Sequence, residues 1–266
     1  MSLKIFRQTL LDRWKSISLL TVLFFVYMAY FTSVYPSTAS LSEANINEML
    51  NNPAIKLLLG NLQFDNSFES YLSTKALMFA GLILGGFTAW LTAGFLSGEI
   101  DHKTIDILLA QPVRRGRIVL ARYAALVLVI AVIMLAALAG LLVAVLALDI
   151  ETSVPWLAYA MGYMGLMTLS FGAIALFVSA CMSDGRRAAL TSLGILVVMY
   201  FMETLGSVVD LLGPIRYLSL FHYARYNAML MSKTLSLTDI GVMLAVAIVF
   251  VALAACMFRR RDIHVA

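Results

Sequence analysis

The chain has 266 residues, of which 62% are hydrophobic and only 13% are charged, with a formal net charge of +4 at pH 7. A soluble domain of this length needs far more charged surface, so the composition excludes a soluble globular protein. It also predicts no nucleic-acid partner, because no basic helix interleaved with aromatic residues is present. The apolar residues instead form long uncharged blocks, of the length that crosses a hydrocarbon core about 30 Å thick.

The first segment in chain order, residues 3–16, is predicted to be an amphipathic helix. Its apolar residues recur every three or four positions, at Leu3, Phe6, Leu10 and Trp14, and basic residues lie off this stripe. Such a helix lies along a membrane surface. The alternative interpretation is that the basic residues only fix the topology of the first span.

Six apolar blocks are each long enough to cross a membrane as a helix, which satisfies the backbone hydrogen bonds inside lipid. The predicted spans are residues 17–35, 76–97, 123–148, 156–181, 188–205 and 240–258. The predicted fold is therefore all-α, a single polytopic transmembrane domain over residues 1–266. The first block is longer than the apolar region of a typical signal peptide, and we interpret it as an uncleaved span.

The orientation of this bundle follows from its basic residues. Most of the 19 Lys and Arg residues fall on the side that holds both chain termini, and cytoplasmic loops carry such an excess. We therefore expect a multi-pass protein of the cell membrane, surrounded by lipid, with both termini in the cytoplasm. Two outer loops are predicted, over residues 36–75 and 206–239. Aromatic residues in the second loop, such as Phe221 and Tyr223, predict a short interfacial or re-entrant helix before the last span.

The second predicted span carries a stripe of small residues. Gly81, Gly85, Ala89 and Ala93 recur every four positions, and on a helix they form one narrow face that allows another helix to approach closely. This face packs either within one bundle or across the interface of a homodimer.

The connection between the second and third spans carries the most informative pattern. Acidic residues come first, at Glu99 and Asp101, and arginines follow Pro112, where a helix cannot continue. The pattern predicts a short cytoplasmic helix over residues 99–111. Its residues at helical spacing form a partly apolar face, which has to be buried against the membrane surface or against a partner protein.

This connection resembles the signature of type-2 ABC transporter permeases, in which a Gly-Glu pair precedes a threonine, a Leu-Leu pair, and a proline with downstream arginines. The matching residues are Gly98, Glu99, Thr104, Leu108, Leu109, Pro112, Arg114 and Arg115. The six-span layout and the aromatic stretch before the sixth span also fit that family. The chain departs from the family at Lys103, where glycine usually precedes the threonine.

The resemblance implies that helix 99–111 is a coupling helix, which docks on a separate cytosolic ATPase. Two ATPase copies would drive two copies of this chain, an exporter whose translocation pathway lies between the subunits of a homodimer. The residues implied in coupling are Glu99, Asp101, Thr104, Leu108, Leu109, Pro112 and Arg115. The sequence contains no Gly-x-x-x-x-Gly-Lys-Ser/Thr loop for phosphate. No enzymatic activity and no cofactor are therefore predicted for this chain, and ATP and magnesium are expected on the partner ATPase.

Two other functions stay open at this point. The chain could be a permease-like subunit that converts ATP turnover into movement of an extracytoplasmic partner bound by its outer loops. An ion-coupled secondary carrier is less favoured, because such carriers need several charges inside the membrane.

A few charged residues have two interpretations each. Glu203 lies inside an apolar block, so it either lines the pathway or has a structural role, solvated or paired with Arg216. Arg186 and Arg187, between the fourth and fifth spans, are topology determinants or a second contact for the ATPase. The 3 histidines lie in different loops, so no metal site is expected.

Overall fold

The structure is a computed structural model that describes residues 3–39, 52, 67–101 and 115–260. Within these ranges the regular secondary structure is entirely helical, and six helices are long and apolar enough to cross a membrane. The predicted all-α, six-span fold is therefore confirmed. Most of the first outer loop lies outside the described residues, and so does most of the helix predicted over 99–111.

In chain order, the described helices are α1 (Leu3–Asp12), α2 (Trp14–Ala39), α3 (Phe68–Asp101), α4 (Arg115–Ala147), α5 (Val154–Cys181), α6 (Gly185–Val208), a 3-10 helix (Asp210–Leu218), α7 (Leu220–Tyr223), α8 (Tyr226–Ser232) and α9 (Leu237–Arg260). The long helices α2 to α6 and α9 are the six spans. We call the end of the bundle at which α1 lies the N-terminal face, and the other end the opposite face.

Two spans begin eight residues earlier than the hydropathy pattern indicates, whereas the other four begin two or three residues earlier. The second span already begins at Phe68, and it contains a π-helical segment, Leu72–Leu77, within what the sequence predicts as the end of the first outer loop. The third begins at Arg115, so that Arg122 lies inside the helix. Hydropathy marks only the lipid-embedded part of a helix, whereas the backbone hydrogen bonds continue into the polar flank.

The fourth span, α5, is the centre of the bundle. In the most apolar 18-residue stretch of α5, 78% of the residues are buried. The corresponding share is 17% in α2 and 22% in both α6 and α9. Helices α3, α4, α6 and α9 all pack on it. The contact with α9 includes a hydrogen bond across the two helices, from the hydroxyl of Ser170 to the carbonyl oxygen of Met243 at 2.8 Å.

The first span, α2, is peripheral and packs mainly on α4. The closest approach is at Gly140, where an added Cβ atom would collide with the carbonyl oxygen of Phe25. Two tyrosines also join α2 to the start of α3. The hydroxyl of Tyr27 donates to the carbonyl oxygen of Ala76 at 2.9 Å, and that of Tyr71 donates to Phe31 at 3.0 Å.

The small residues of α3 lie against helices of the same chain. A Cβ atom added at Gly85 would be 2.6 Å from a methyl group of Leu196 on α6. At Gly81 it would contact Met167 on α5 at 3.5 Å. Ala89 is buried, and Ala93 packs in a small cluster with residues of α5 and α6. Within one chain, this stripe therefore lets α3 pack closely on α5 and α6.

Candidate functional site

Three segments of the chain meet around a cavity on the N-terminal face. These are α1, the last turns of α3, and the turn between α5 and α6. The cavity has a volume of about 740 Å³. Its lining residues are Gln8, Thr9, Asp12, Arg13, Trp90, Ala93, Gly94, Phe95, Gly98, Glu99, Asp101, Arg122, Gly185, Arg186, Ala189 and Leu190. The N-terminal helix, the start of the connection at Glu99 and the turn at Arg186 thus contribute to one surface.

Helix α1 forms one wall of this cavity because one of its faces is buried on the bundle. It packs on α4, and Ile5 is 1% exposed. The residue that follows the helix, Arg13, places its guanidinium 4.8 Å from the ring centre of Trp90 on α3, a cation–π contact. The helix therefore joins the bundle at α3 and α4, while Leu11 and Trp14 stay exposed.

The end of α3 is broken and then tied to α5 by two serines. The regular helix ends at Ala93, and a last turn follows over Ser97–Asp101. The backbone N–H of Ser97 donates to the hydroxyl oxygen of Ser179 at 3.1 Å. Both serine hydroxyls donate to the carbonyl oxygen of Ala93, at 2.7 and 3.3 Å. These bonds satisfy backbone groups that the break exposes, and they attach this turn to the central helix.

A partly buried ion pair joins the last turn of α3 to α4. The guanidinium of Arg122 donates to the carboxylate of Glu99, and it also lies 5.7 Å from the ring centre of Phe95. The Arg122 side chain is only 5% exposed and that of Glu99 is 25% exposed. A buried charge requires a partner, so the pair fixes both ends of the connection 102–114 to each other.

The turn between α5 and α6 lies directly against this last turn of α3. The Asp184 side chain caps α6, accepting hydrogen bonds from the backbone N–H groups of Arg186 and Arg187 at 2.8 and 3.0 Å. At Gly185 an added Cβ atom would lie 3.0 Å from the Cα atom of Gly98. Two glycines thus allow two backbones to meet at the cavity.

The residues predicted for coupling are only partly described by the structure. Glu99 and Asp101 line the cavity, whereas Arg115 begins α4 and lies outside the cavity lining. The other four predicted residues lie outside the described part of the chain; they are Thr104, Leu108, Leu109 and Pro112.

The sequence did not predict that Arg122 pairs with Glu99. It counted Arg122 only among the basic residues that indicate the orientation of the bundle. Its partner is 23 residues away along the chain, and no local pattern identifies such a pair. One signal was present in the sequence. Arg122 follows Ile118, Val119 and Ala121, all of which are apolar and, in the structure, buried. A lone arginine on such a face has to be paired.

Glu203, the other acidic residue singled out from the sequence, lies near the opposite face. Its carboxylate accepts hydrogen bonds from Arg216 at 2.5 and 3.2 Å, and it lies 3.2 Å from Nδ1 of His222. The bond to Glu203 raises the pKa of Arg216, which keeps its guanidinium charged. Of the interpretations that the sequence left open for Glu203, the structure contains the pairing with Arg216. This pairing connects the 3-10 helix to α6. His222 was not predicted as a partner.

Comparison with known proteins gives a family match over nearly the whole chain and a relative that is a membrane protein. A family model described as "ABC-2 family transporter protein" matches residues 3–263. A curated relative is an uncharacterized membrane protein of Bacillus subtilis (strain 168), YdbK. It is 27% identical over 223 residues, which cover 79% of this chain and 89% of the relative.

Proposed function

Since the chain belongs to the ABC-2 family of transporter proteins, and is therefore an ABC permease subunit, we propose that it forms the membrane-spanning part of an ATP-driven exporter. It works as a homodimer with two copies of a separate cytosolic ATPase, which bind ATP and magnesium. The N-terminal face is the cytoplasmic face, in agreement with the excess of Lys and Arg there. Family membership agrees with the resemblance found in the sequence.

The observation that carries this proposal is the Glu99–Arg122 ion pair at the base of the connection 102–114. Because the pair joins the last turn of α3 to α4, a push on this connection reaches both helices at once. The bonds between Ser97 and Ser179 pass it on to α5. Since α5 is the central helix, the push reaches the spans that pack on it.

The contact with the ATPase is formed by the connection itself and by its neighbours around the cavity. In this proposal Thr104, Leu108, Leu109 and Pro112 bind the ATPase directly. Helix α1 and the turn at Arg186 add contacts on the same surface, in agreement with their meeting around one cavity. Glu99, Asp101 and Arg115 then lie at the two ends of the docked segment and position it.

The translocation pathway lies between two copies of the chain. The spans α2, α6 and α9 have the smallest share of buried residues in their most apolar stretch. On α6, Val197, Val198 and Phe201 are 42%, 58% and 40% exposed, which leaves an apolar face for a second copy. A chain of 29.2 kDa would then purify at twice this mass, apart from its ATPase.

The proposal is tested by purifying the tagged chain from its native membrane in mild detergent, with mass spectrometry of the bound proteins. We expect an ATPase with a phosphate-binding loop in a one-to-one ratio with the chain. Leu108→Ala should release it, because the coupling segment loses an apolar contact. The control is Asp149→Asn, an exposed residue on the opposite face with a φ of 52°, which asparagine tolerates.

The outcome against the proposal is a homodimer that carries no ATPase under conditions that preserve other membrane complexes. Release of the ATPase by Asp149→Asn as well would show that detergent, rather than the coupling segment, controls binding.

A further inference from the structure

A second cavity lies on a different side of the bundle, between α4, α5 and α9. It is an open groove of about 1150 Å³ and shares no lining residue with the cavity around Glu99. Its rim is apolar and faces the lipid, with Leu120, Leu244 and Ile248 at 52%, 45% and 68% exposure. Its floor contains the buried residues Ala247 and Val251.

The groove ends in a group of arginines at the N-terminal face. Arg115 and Arg117 come from the start of α4, and Arg259 comes from the end of α9. The two helices meet there, since a Cβ atom added at Gly116 would lie 3.5 Å from Cδ of Arg259. Within the part of the chain that the structure describes, no acidic side chain lines this groove. The groove thus combines an apolar slot with a cationic end.

The dimensions of the groove match one leaflet of a bilayer. From Arg115 to Val127 its wall on α4 runs for about 18 Å at ~1.5 Å per residue. Half of a hydrocarbon core about 30 Å thick is about 15 Å. When the arginines lie at the depth of the headgroups, the apolar part therefore extends about to the middle of the membrane.

We propose that this groove is a binding site for an anionic phospholipid of the leaflet on the N-terminal side. The headgroup phosphate binds Arg117 and Arg259, and one acyl chain lies in the slot between α4 and α9. Small side chains in the wall, Ala252 and Ala255, leave room for the chain. Arginine suits this role because its planar guanidinium binds phosphate oxygens in pairs.

Charge complementarity favours this occupant over a second copy of the chain. A symmetric dimer through the groove would bring two sets of these arginines towards each other, which costs free energy unless acidic groups compensate. A neutral lipid would fill the slot but would offer no anionic group to Arg117 and Arg259. An anionic phospholipid provides both the apolar chain and the charge.

The site is tested by native mass spectrometry of the purified full chain in neutral detergent. The chain is titrated with phosphatidylglycerol and, in parallel, with phosphatidylcholine of identical acyl chains. We expect the first bound phosphatidylglycerol to have at least about tenfold higher affinity than phosphatidylcholine, since each nearby arginine attracts anionic lipid. The double variant Arg117→Gln/Arg259→Gln should lose this preference.

The matched charge control is Arg7→Gln/Lys15→Gln, which removes two exposed charges on the same face outside the groove. It should keep the preference. Equal loss in both double variants would overturn the proposal, because the preference would then reflect only the overall charge of the face.

The slot is tested separately from the charge. Ala252→Phe should fill it and weaken phosphatidylglycerol binding about as much as the arginine changes do, whereas Leu253→Phe, next to it but outside the lining, should not. Unchanged lipid binding in Ala252→Phe overturns the placement of the acyl chain. If Ala252→Phe instead turns a dimer into a monomer, the groove is a subunit interface and the lipid proposal is wrong. Binding of the ATPase is unaffected in either case, so this proposal fails independently of the proposed function.

Discussion

The guanidinium of Arg122 on α4 is paired with the carboxylate of Glu99 at the end of α3, and the arginine is the more deeply buried partner, at 5% exposure against 25%. This asymmetry decides what each residue costs to replace. Glu99 without its partner can still be hydrated, whereas Arg122 without its partner keeps a positive charge away from water.

We therefore expect Glu99→Gln to destabilise the chain more than Arg122→Met does. Removal of one partner from a buried ion pair costs about 3–5 kcal/mol, and Glu99→Gln should approach this range while Arg122→Met stays below it. The measurement is thermal unfolding of both variants in the same detergent, combined with the double variant in a mutant cycle.

The double variant separates stability from coupling. Glu99→Gln/Arg122→Met should recover much of the stability, because no buried charge is left, yet it should still lose ATPase stimulation. Full stimulation in this variant would show that the ion pair is structural only.

Gly140→Ala should separate α2 from α4. The added methyl group meets the backbone carbonyl of Phe25 rather than a flexible side chain, so no local rearrangement relieves it, and we expect a cost of about 1–3 kcal/mol. The control is Gly162→Ala on α5, where nothing lies within 4 Å of an added Cβ atom. This change should be neutral or stabilise by up to about 1 kcal/mol. Equal melting temperatures for the two variants would contradict the close contact at Gly140.

Gly85→Ala should behave differently from Gly140→Ala, because its obstacle is the end of a side chain. The methyl groups of Leu196 lie 2.6 and 2.8 Å from the added Cβ atom, and a shorter residue there makes room. We expect Gly85→Ala to cost at least about 1 kcal/mol less in a Leu196→Ala background than in the wild-type chain. If the free-energy costs of Gly85→Ala and Leu196→Ala simply add in the double variant, α3 and α6 do not approach each other here.

Arg216→Lys should loosen the 3-10 helix at the opposite face. The arginine holds both carboxylate oxygens of Glu203 through its Nε atom at 3.2 Å, which a lysine ammonium group cannot reproduce. We expect faster amide exchange in Asp210–Leu218, with little change in α5. Unchanged exchange in the 3-10 helix would show that the pairing with Glu203 does not hold this segment.

The orientation of the bundle can be read from chemical labelling. In a chain whose two native cysteines are replaced by serine, Lys233→Cys should react with a membrane-impermeant maleimide in intact cells. Arg186→Cys should react only after the membrane is permeabilised. Both side chains are exposed, at opposite ends of the bundle. The reverse pattern would place the termini outside and would remove the proposed cytoplasmic docking surface.

Hydropathy was sufficient to predict the number of spans because lipid imposes one simple requirement, a long apolar helix. It was insufficient at polar helix ends. The start of α3 contains Ser73, Thr74 and Lys75, which resemble a loop by composition, but the first two are buried and all three are helical. In the second outer loop one interfacial helix was predicted, and three short helices are found.

The candidate site could be predicted as a set of segments but not as a geometry. The acidic start of the connection and the basic N-terminal helix are visible in the sequence, whereas their meeting with the turn at Gly185 depends on how the spans pack. The contact of Gly185 with Gly98 joins residues far apart in the chain, and such pairs depend on tertiary structure rather than on local composition.

The peripheral position of α2 has a consequence for how the protein is made. Its principal partner, α4, is synthesised roughly a hundred residues later, so at about 5–20 residues per second α2 waits on the order of ten seconds in the bilayer before that partner exists. With only 17% of its most apolar window buried even in the finished bundle, α2 is already suited to lipid on nearly every side. It can therefore leave the translocon alone and serve as the membrane anchor on which the later helices assemble.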